Sequence, residues 1–268
     1  VYGTGIGTMM KAIVKIKNEK PWWDLFFEDE FADLMLERET PSMLAKEVDF
    51  IINELELQPG QVVFDQCCGT GEIACELAAR HIYSVGVDQS KRYIERAKRK
   101  AMDTNLACEF HHADALEFVS PIIADAGFNW YTSFGYSDVD AINLKMLKNQ
   151  YNSLKKNARF LLDYTNPAYI FKNFTEHLVL KKTLLEGELI VNKRSEVDIQ
   201  RGMLLSTWNY VFPDGKKISK SGESRIYFAR DLTDMLKSCG FKIIRLTGEL
   251  SGASLTKDSP RCIITAQK

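Results

Sequence analysis

A chain of 268 residues with 35 Lys and Arg against 36 Asp and Glu, formal charge −1, carries no global basic footprint for nucleic acid. Its 45% hydrophobic and 11% aromatic content excludes wholesale disorder, and its length suits one large domain with a substantial core. No apolar run reaches bilayer length and no signal peptide is visible, so a cytoplasmic protein without a membrane partner is expected. The six cysteines form no C-x-x-C pair and several fall in apolar strand patterns, so they read as reduced core thiols, with no metal expected.

In chain order, Val1 to Thr8 reads poorly as a native beginning, and Met9 or Met10 is the expected start of an extension over 1–20. The aromatic stretch that begins Pro21-Trp22-Trp23 and runs to about Leu36 spaces Trp23, Phe26, Phe27 and Phe31 as a helix does. It reads as a helix packed on the core, as a lid over a ligand pocket, or as both. Thr40-Pro41 supplies an N-cap and a first-turn proline for a second helix to about Leu57, completing a helical cap over 21–57.

From Pro59-Gly60 onward, strands and helices alternate. A strand opening at Val62 leads to a helix over 72–80, a strand over 83–87 ending at Asp88, and a helix over 90–105. The Lys and Arg residues of that last helix read as a solvated face. Strands over 107–111, 128–132 and 160–164, with a helix over 144–154, complete the pattern of a doubly wound, mostly parallel sheet. After Asn166 and a short helix, four runs of strand character over 177–184, 188–191, 203–212 and 218–228 predict an antiparallel insertion at about 174–228. A helix over 230–239, stopped by Gly240, and strands over 241–246 and 262–266 end the chain, with the final strand able to insert antiparallel.

Strand one ends on Asp65, and Gly69-Thr70-Gly71 then turns into a helix. The glycines permit a tight turn and close backbone approach by a ligand, and the helix directs unpaired N–H groups at it. The run also fits the dinucleotide pattern G-x-G-x-x-G/A, with Asp88 near the distance of a ribose-binding acid, and alone it serves NAD, FAD or S-adenosylmethionine (SAM). Asp65 discriminates: a carboxylate before the turn repels a diphosphate and suits a ligand bearing an ammonium and a sulfonium. Asp114-Ala115 after strand three, where an adenine amino group needs an acceptor, and the terminal strand pair favour the same choice.

These pieces resemble class I SAM-dependent methyltransferases of the small-molecule type. The match lies in Val63-Phe64-Asp65-Gln66-Cys67-Cys68-Gly69-Thr70-Gly71, Gly86-Val87-Asp88-Gln89-Ser90, Ala113-Asp114-Ala115, Thr132-Ser133-Phe134-Gly135-Tyr136 and Arg225-Ile226-Tyr227, and extends from about Trp22 to the C-terminus. Cys67 departs from the family's usual glycine. The resemblance implies a seven-stranded, Rossmann-like SAM-binding domain over 58–268, with the insertion as a lid. It also implies that Asp65 and the backbone of Gly69, Thr70 and Gly71 hold the methionine part, Asp88 the ribose, and Asp114 and Ala115 the adenine, with Cys67 and Gln89 also binding the cofactor. Thr132, Ser133 and Phe134 then line the floor beside the sulfonium.

The expected reaction is transfer of the SAM methyl to an N or O atom of a small-molecule acceptor, leaving S-adenosylhomocysteine (SAH). Other SAM chemistry, such as aminocarboxypropyl transfer or cyclisation, and SAM binding without catalysis remain open; an NAD oxidoreductase is disfavoured by Asp65. His177 and Tyr136 are the candidate catalytic groups. Trp23, Phe27, Tyr136, Asn166, Trp208, Tyr210, Arg225 and Tyr227 are the candidate acceptor contacts, with the insertion roofing the pocket. Arg225 either holds an acceptor carboxylate or braces an acidic partner within the lid.

Overall fold

The computed structural model describes residues 21–36, 40–184 and 186–268; the expected extension over 1–20 and its methionine start lie outside them. The parallel half is built from β1 (Val62–Gln66), β2 (Tyr83–Asp88), β3 (Cys108–His112), β4 (Ala124–Asn129) and β5 (Leu154–Thr165). An antiparallel group follows: β6 (His177–Leu184), β7 (Gly187–Asp198), β8 (Met203–Val211) and β9 (Lys217–Arg225). The chain closes with β10 (Lys242–Thr247) and β11 (Arg261–Gln267).

Seven strands make one sheet in the order β10-β11-β5-β4-β1-β2-β3, with β11 antiparallel to both neighbours and the remaining pairs parallel. Strands covered on both faces read as continuous apolar runs, and Val63, Phe64, Val85 and Val87 are fully buried. The strand order reverses between β1 and β4, so the connections leaving their carboxyl ends diverge and leave a crevice. No helix among the described residues is long and apolar enough to cross a membrane.

Helices α3 (Pro41–Leu55), α4 (Glu72–Ala79), α5 (Lys91–Asp103), α6 (Asp140–Asn152), α7 (Pro167–Lys172) and α8 (Ala229–Ser238) lie close to their predicted places. In α5 the Ser90 side chain caps Tyr93 N–H, and Tyr93, Ile94, Ala97 and Ala101 form the buried stripe.

Three expectations need correction. The fourth strand is Ala124–Asn129, not 128–132. Tyr131 and Thr132 take φ of 58° and 55°, which ends any strand, whereas Ala124 and Gly127 are small on the side where α6 packs and Ala126 on the side of α3 and α4; a Cβ on Gly127 would overlap the Gln150 amide. The aromatic stretch is not one helix. It breaks into α1 (Trp23–Phe26), α2 (Asp29–Phe31) and a π-helical turn (Ala32–Leu36), so its rings spread to two sides.

The insertion, in turn, does not itself roof the crevice. The aromatic stretch lies between, and the inner face of the antiparallel sheet packs on its back: Leu189, Val191, Trp208 and Tyr210 cluster with Phe26, flanked by Trp22, Phe27 and Phe31. Trp22 lies so close to β9 that a Cβ on Gly222 would come within 2.6 Å of the indole ring.

Candidate active site

The crevice begins where β1 ends. Cys67, Gly69 and Gly71 all have positive φ, at 66°, 55° and 77°, and turn the chain sharply into α4. Their roles differ. Gly69 N–H donates to Asp88 Oδ2 at 2.9 Å, and a Cβ there would reach to 3.2 Å from Leu36 in the roof. A Cβ on Gly71 would meet Ala97 Cβ at 2.8 Å and the Phe110 ring at 2.9 Å. Gly71 therefore seats α4 against α5 and β3, and it lines neither of the two cavities described below. Gly86 in β2 has a similar duty, since a Cβ there would lie 2.8 Å from Cys68 Sγ.

Asp88 closes β2 with a carboxylate that accepts from Gly69 N–H and, through Oδ1, from Ser90 N–H at 2.8 Å. Burial pushes its carboxyl up to about 6, although the two backbone donors and His112 pull the other way. The Cys67 thiol is held protonated, first by burial and then by Asp88, Asp65 and Asp114 around it. Asp114 Oδ1 accepts from Leu116 N–H at 2.8 Å, which fixes the loop after β3.

These groups line a cavity of about 210 Å³. Its floor is Cys67, Gly69, Asp88, Gln89, Asp114, Ala115, Leu116 and Met146; Ser133, Tyr136, Ser137, Ile142 and Asn143 form the wall beyond β4. Trp23, Phe27, Phe31, Met35 and Leu36 form the roof, with Tyr93 and Tyr131 at the sides. A smaller cavity of about 50 Å³ holds Asp65, Thr70 and Ile73, and shares Leu36, Cys67, Gly69, Tyr131 and Ser133 with the first. The Thr70 hydroxyl lining it is buried without a hydrogen-bond partner among the described residues. Four carboxylates, Asp65, Glu72, Asp88 and Asp114, and no Lys, Arg or His line the larger and smaller cavities among those residues. A diphosphate finds no counter-charge there; a nucleoside bearing a cationic sulfur and an ammonium does.

The roof is fastened from both sides. Gln89 Nε2 donates to Trp23 O at 3.0 Å, Tyr93 Oη to Glu28 O at 2.7 Å and Trp22 Nε1 to Tyr136 O at 3.3 Å. Arg92 pairs with Asp29 at 3.0 Å and Arg96 with Asp33 at 2.8 Å, so part of the basic face of α5 is a docking surface for the roof, not solvated alone. From behind, the buried Lys220 of β9 donates to Leu25 O at 3.2 Å and Phe26 O at 3.4 Å, and pairs with Glu28 at 2.6 Å.

The structure thus gathers Asp65, Cys67, Gly69, Thr70, Asp88, Gln89, Asp114, Ala115, Ser133, Trp23, Phe27 and Tyr136 around one continuous space. Other expected site residues lie elsewhere. Thr132 turns its hydroxyl to Thr165 at 2.9 Å, and Phe134 is fully buried in the core. Asn166 caps α7 and donates to Thr256 O and Ser259 O, which ties two loops together.

Trp208 and Tyr210 sit behind the roof. Tyr227 donates to Asp140 at 2.7 Å and accepts from Asn143. Arg225 pairs with Asp140 at 3.2 Å and donates to Arg201 O. It braces an acid, as one of its two expected readings had it, but the acid begins α6 and so joins the insertion to the main sheet. His177 is exposed at the start of β6 and lines neither cavity.

Sequence reasoning missed Phe31, Met35, Leu36, Tyr93, Tyr131, Ser137, Ile142, Asn143 and Met146. Phe31 was legible in the aromatic spacing, and Tyr93 in its place on the buried face of α5. The α6 residues were not, because nothing local says which way that helix faces.

Residues 57–214, more than half of the chain, match a family model described as a methyltransferase domain. A Bacillus subtilis protein named as a methyltransferase, YqeM, is 23% identical over 217 residues, covering 77% of this chain and 83% of its own. A solved SAM-dependent methyltransferase from Clostridium acetobutylicum shares the fold with a TM-score of 0.75 at 19% identity, over 89% of this chain and 96% of that one. The sugar N-methyltransferase KedS8 from Streptoalloteichus sp. shares it with a TM-score of 0.69 at 18% identity, over 98% and 99%. Family model, sheet order and an electronegative crevice agree: the chain belongs to the methyltransferase domain family, as a SAM-dependent methyltransferase with SAM as its cofactor.

Proposed function

We propose that the enzyme transfers the methyl group of SAM to an N or O atom of a small molecule held under the aromatic roof. The observation that carries this reading is the meeting of two cavities: a small one beside Asp65 and a larger one with a carboxylate-bearing floor under an aromatic roof, which share Ser133 and Tyr131. A roofed chamber of this size suits a small acceptor better than a protein or nucleic acid, and the overall charge of −1 supports the same choice.

In this reading Asp65 and the Gly69–Thr70 backbone hold the ammonium and carboxylate of the methionine part. Asp88 accepts from the ribose hydroxyls, with Gln89 beside it, and Asp114 with the Ala115–Leu116 backbone meets the adenine edge. SAM supplies a methyl group on a positive sulfur, ready for in-line displacement. The protein's share is to orient donor and acceptor and to exclude water, and the roof fastened by Gln89, Tyr93, Arg92 and Arg96 serves both ends. The donor-binding unit spans 58–268, with 174–228 bracing the cap at 21–57 from behind.

A calorimetric titration with SAH, followed by an acceptor screen read by product mass, tests this. SAH binding together with acceptors gaining one methylene in mass supports it. Products gaining an aminocarboxypropyl group, or SAH binding with no turnover over a broad screen, would reject it.

A further inference from the structure

We infer that the acceptor is an amine, methylated on nitrogen and carried on a skeleton with an apolar face. This rests on the reading of the chamber as the acceptor site and narrows its chemistry.

The first argument is the missing base. Among the described residues no His or Lys lines the chamber, and the protonatable groups that do are held in the wrong state or already engaged. Burial pushes up the Tyr136 and Tyr93 phenols and the Cys67 thiol, so none is a proton acceptor near neutrality. Asp88 and Asp114, besides accepting from backbone N–H groups, face the ribose and adenine of SAM in the reading above and so stand away from the acceptor. A hydroxyl acceptor needs a base to become a nucleophile. An amine does not: transfer into an apolar chamber disfavours its charged form and frees its lone pair, the same effect that lowers a buried lysine.

The second argument is the missing cation. A carboxylate or phosphate acceptor would enter a space that no Lys, Arg or His among the described residues lines, so nothing there offers it a counter-charge.

The third is where charge develops. As the nitrogen lone pair forms the N–C bond, the C–S bonding pair stays on sulfur, and positive charge passes from sulfur to nitrogen. An anionic oxygen acceptor would end neutral. Only the amine keeps a cation in the chamber through the transition state, where the rings of Trp23, Phe27 and Tyr136 can face it. The rings are mutually braced: Phe27 stacks on Tyr136 at 5.5 Å, and Trp23 lies 6.4 Å from it. The methylammonium product then loses any proton to water after leaving.

The test uses the full chain and three matched probes: 2-phenylethylamine, 2-phenylethanol and 3-phenylpropionate. It adds amines on alicyclic and amino-sugar skeletons, all with SAM and read by product mass. Methylation of one or more amines, with kcat/KM rising with pH until the amine is neutral, is expected, together with at least about tenfold preference over the matched alcohol and acid.

Phe27→Leu and Tyr136→Leu should each lower kcat on the amine about tenfold. Tyr136→Phe, which keeps the ring and removes the hydroxyl, should lose clearly less than Tyr136→Leu. The alcohol or the acid as the better substrate overturns the inference. So does equal damage from Tyr136→Phe and Tyr136→Leu, or no turnover of any amine while SAH binds. Absence of SAH binding would instead sink the donor-site reading beneath it.

Discussion

Asp88 carries the sharpest consequence at the scale of single residues. Its carboxyl sits at about 6 in the fold, above the ordinary 3.8. Between those values the folded chain holds a proton the unfolded chain has released, so this group's contribution to stability falls as pH rises through that window. In the proposed reading ligand binding runs the other way, because ribose hydroxyls would need the ionised form. SAH affinity should therefore be flat above about pH 7 and weaken toward tenfold per unit below about pH 6, measured by calorimetry. Asp88→Asn should cost roughly ten- to a hundredfold in SAH affinity and flatten that profile; an unchanged profile would remove Asp88 from the ribose.

Gly71 makes the contrasting prediction. Its φ of 77° and its contacts with Ala97 and Phe110 leave no room for a methyl, so Gly71→Ala should destabilise the fold by about 2–4 kcal/mol in denaturant titration. From sequence the two glycines looked alike, since both belong to the turn pattern. Only the packing of α4 on α5 separates Gly71 from Gly69, which lines the cavities, and that is a tertiary fact. Asp65, Asp88 and Asp114 were legible because each ends or follows a strand and is an acid where apolar residues would otherwise continue.

At the scale of elements, the roof is the part that sequence reasoning half understood. Helical spacing in 21–36 was real, but breaks at Phe27 and Ala32 send Phe26 backward to the sheet and Phe27, Phe31 and Met35 down to the cavity. Periodicity predicts one buried face; this stretch has two. The same reasoning misplaced Trp208, Tyr210 and Arg225, because strand alternation sorts faces without saying what lies between the face and the ligand.

Lys220 is the buried clasp between sheet and roof. Lys220→Met keeps the stem and removes the donors, so it should raise amide hydrogen exchange across 22–28 and raise the acceptor KM several-fold, with a smaller change in SAH affinity. Arg225→Ala breaks the pair with Asp140 but touches no cavity residue's side chain through that pair; it should lower thermal stability slightly, by about 1 kcal/mol, and leave acceptor KM within about twofold. A large KM effect would return Arg225 to the acceptor site.

For the whole molecule, the sheet was the most legible feature: alternation of strand and helix, the reversal at β1 and β4, and the terminal antiparallel strand all follow from apolar runs and turn residues. The fourth strand was the exception, hidden because its Ala and Gly residues suit close packing of helices on both faces rather than strand propensity. The four-stranded insertion lies on the far side of the roof, so its contribution to catalysis runs through the rigidity of 21–36. The most direct measurement is a crystal structure with SAH and an amine acceptor bound. The account predicts ribose hydroxyls on Asp88, the amino group near Asp65, and the sulfur facing the acceptor nitrogen beneath Phe27 and beside Tyr136. A nucleoside placed away from Asp88, or an acceptor bound against Trp208 and Arg225 instead of under the roof, would contradict it.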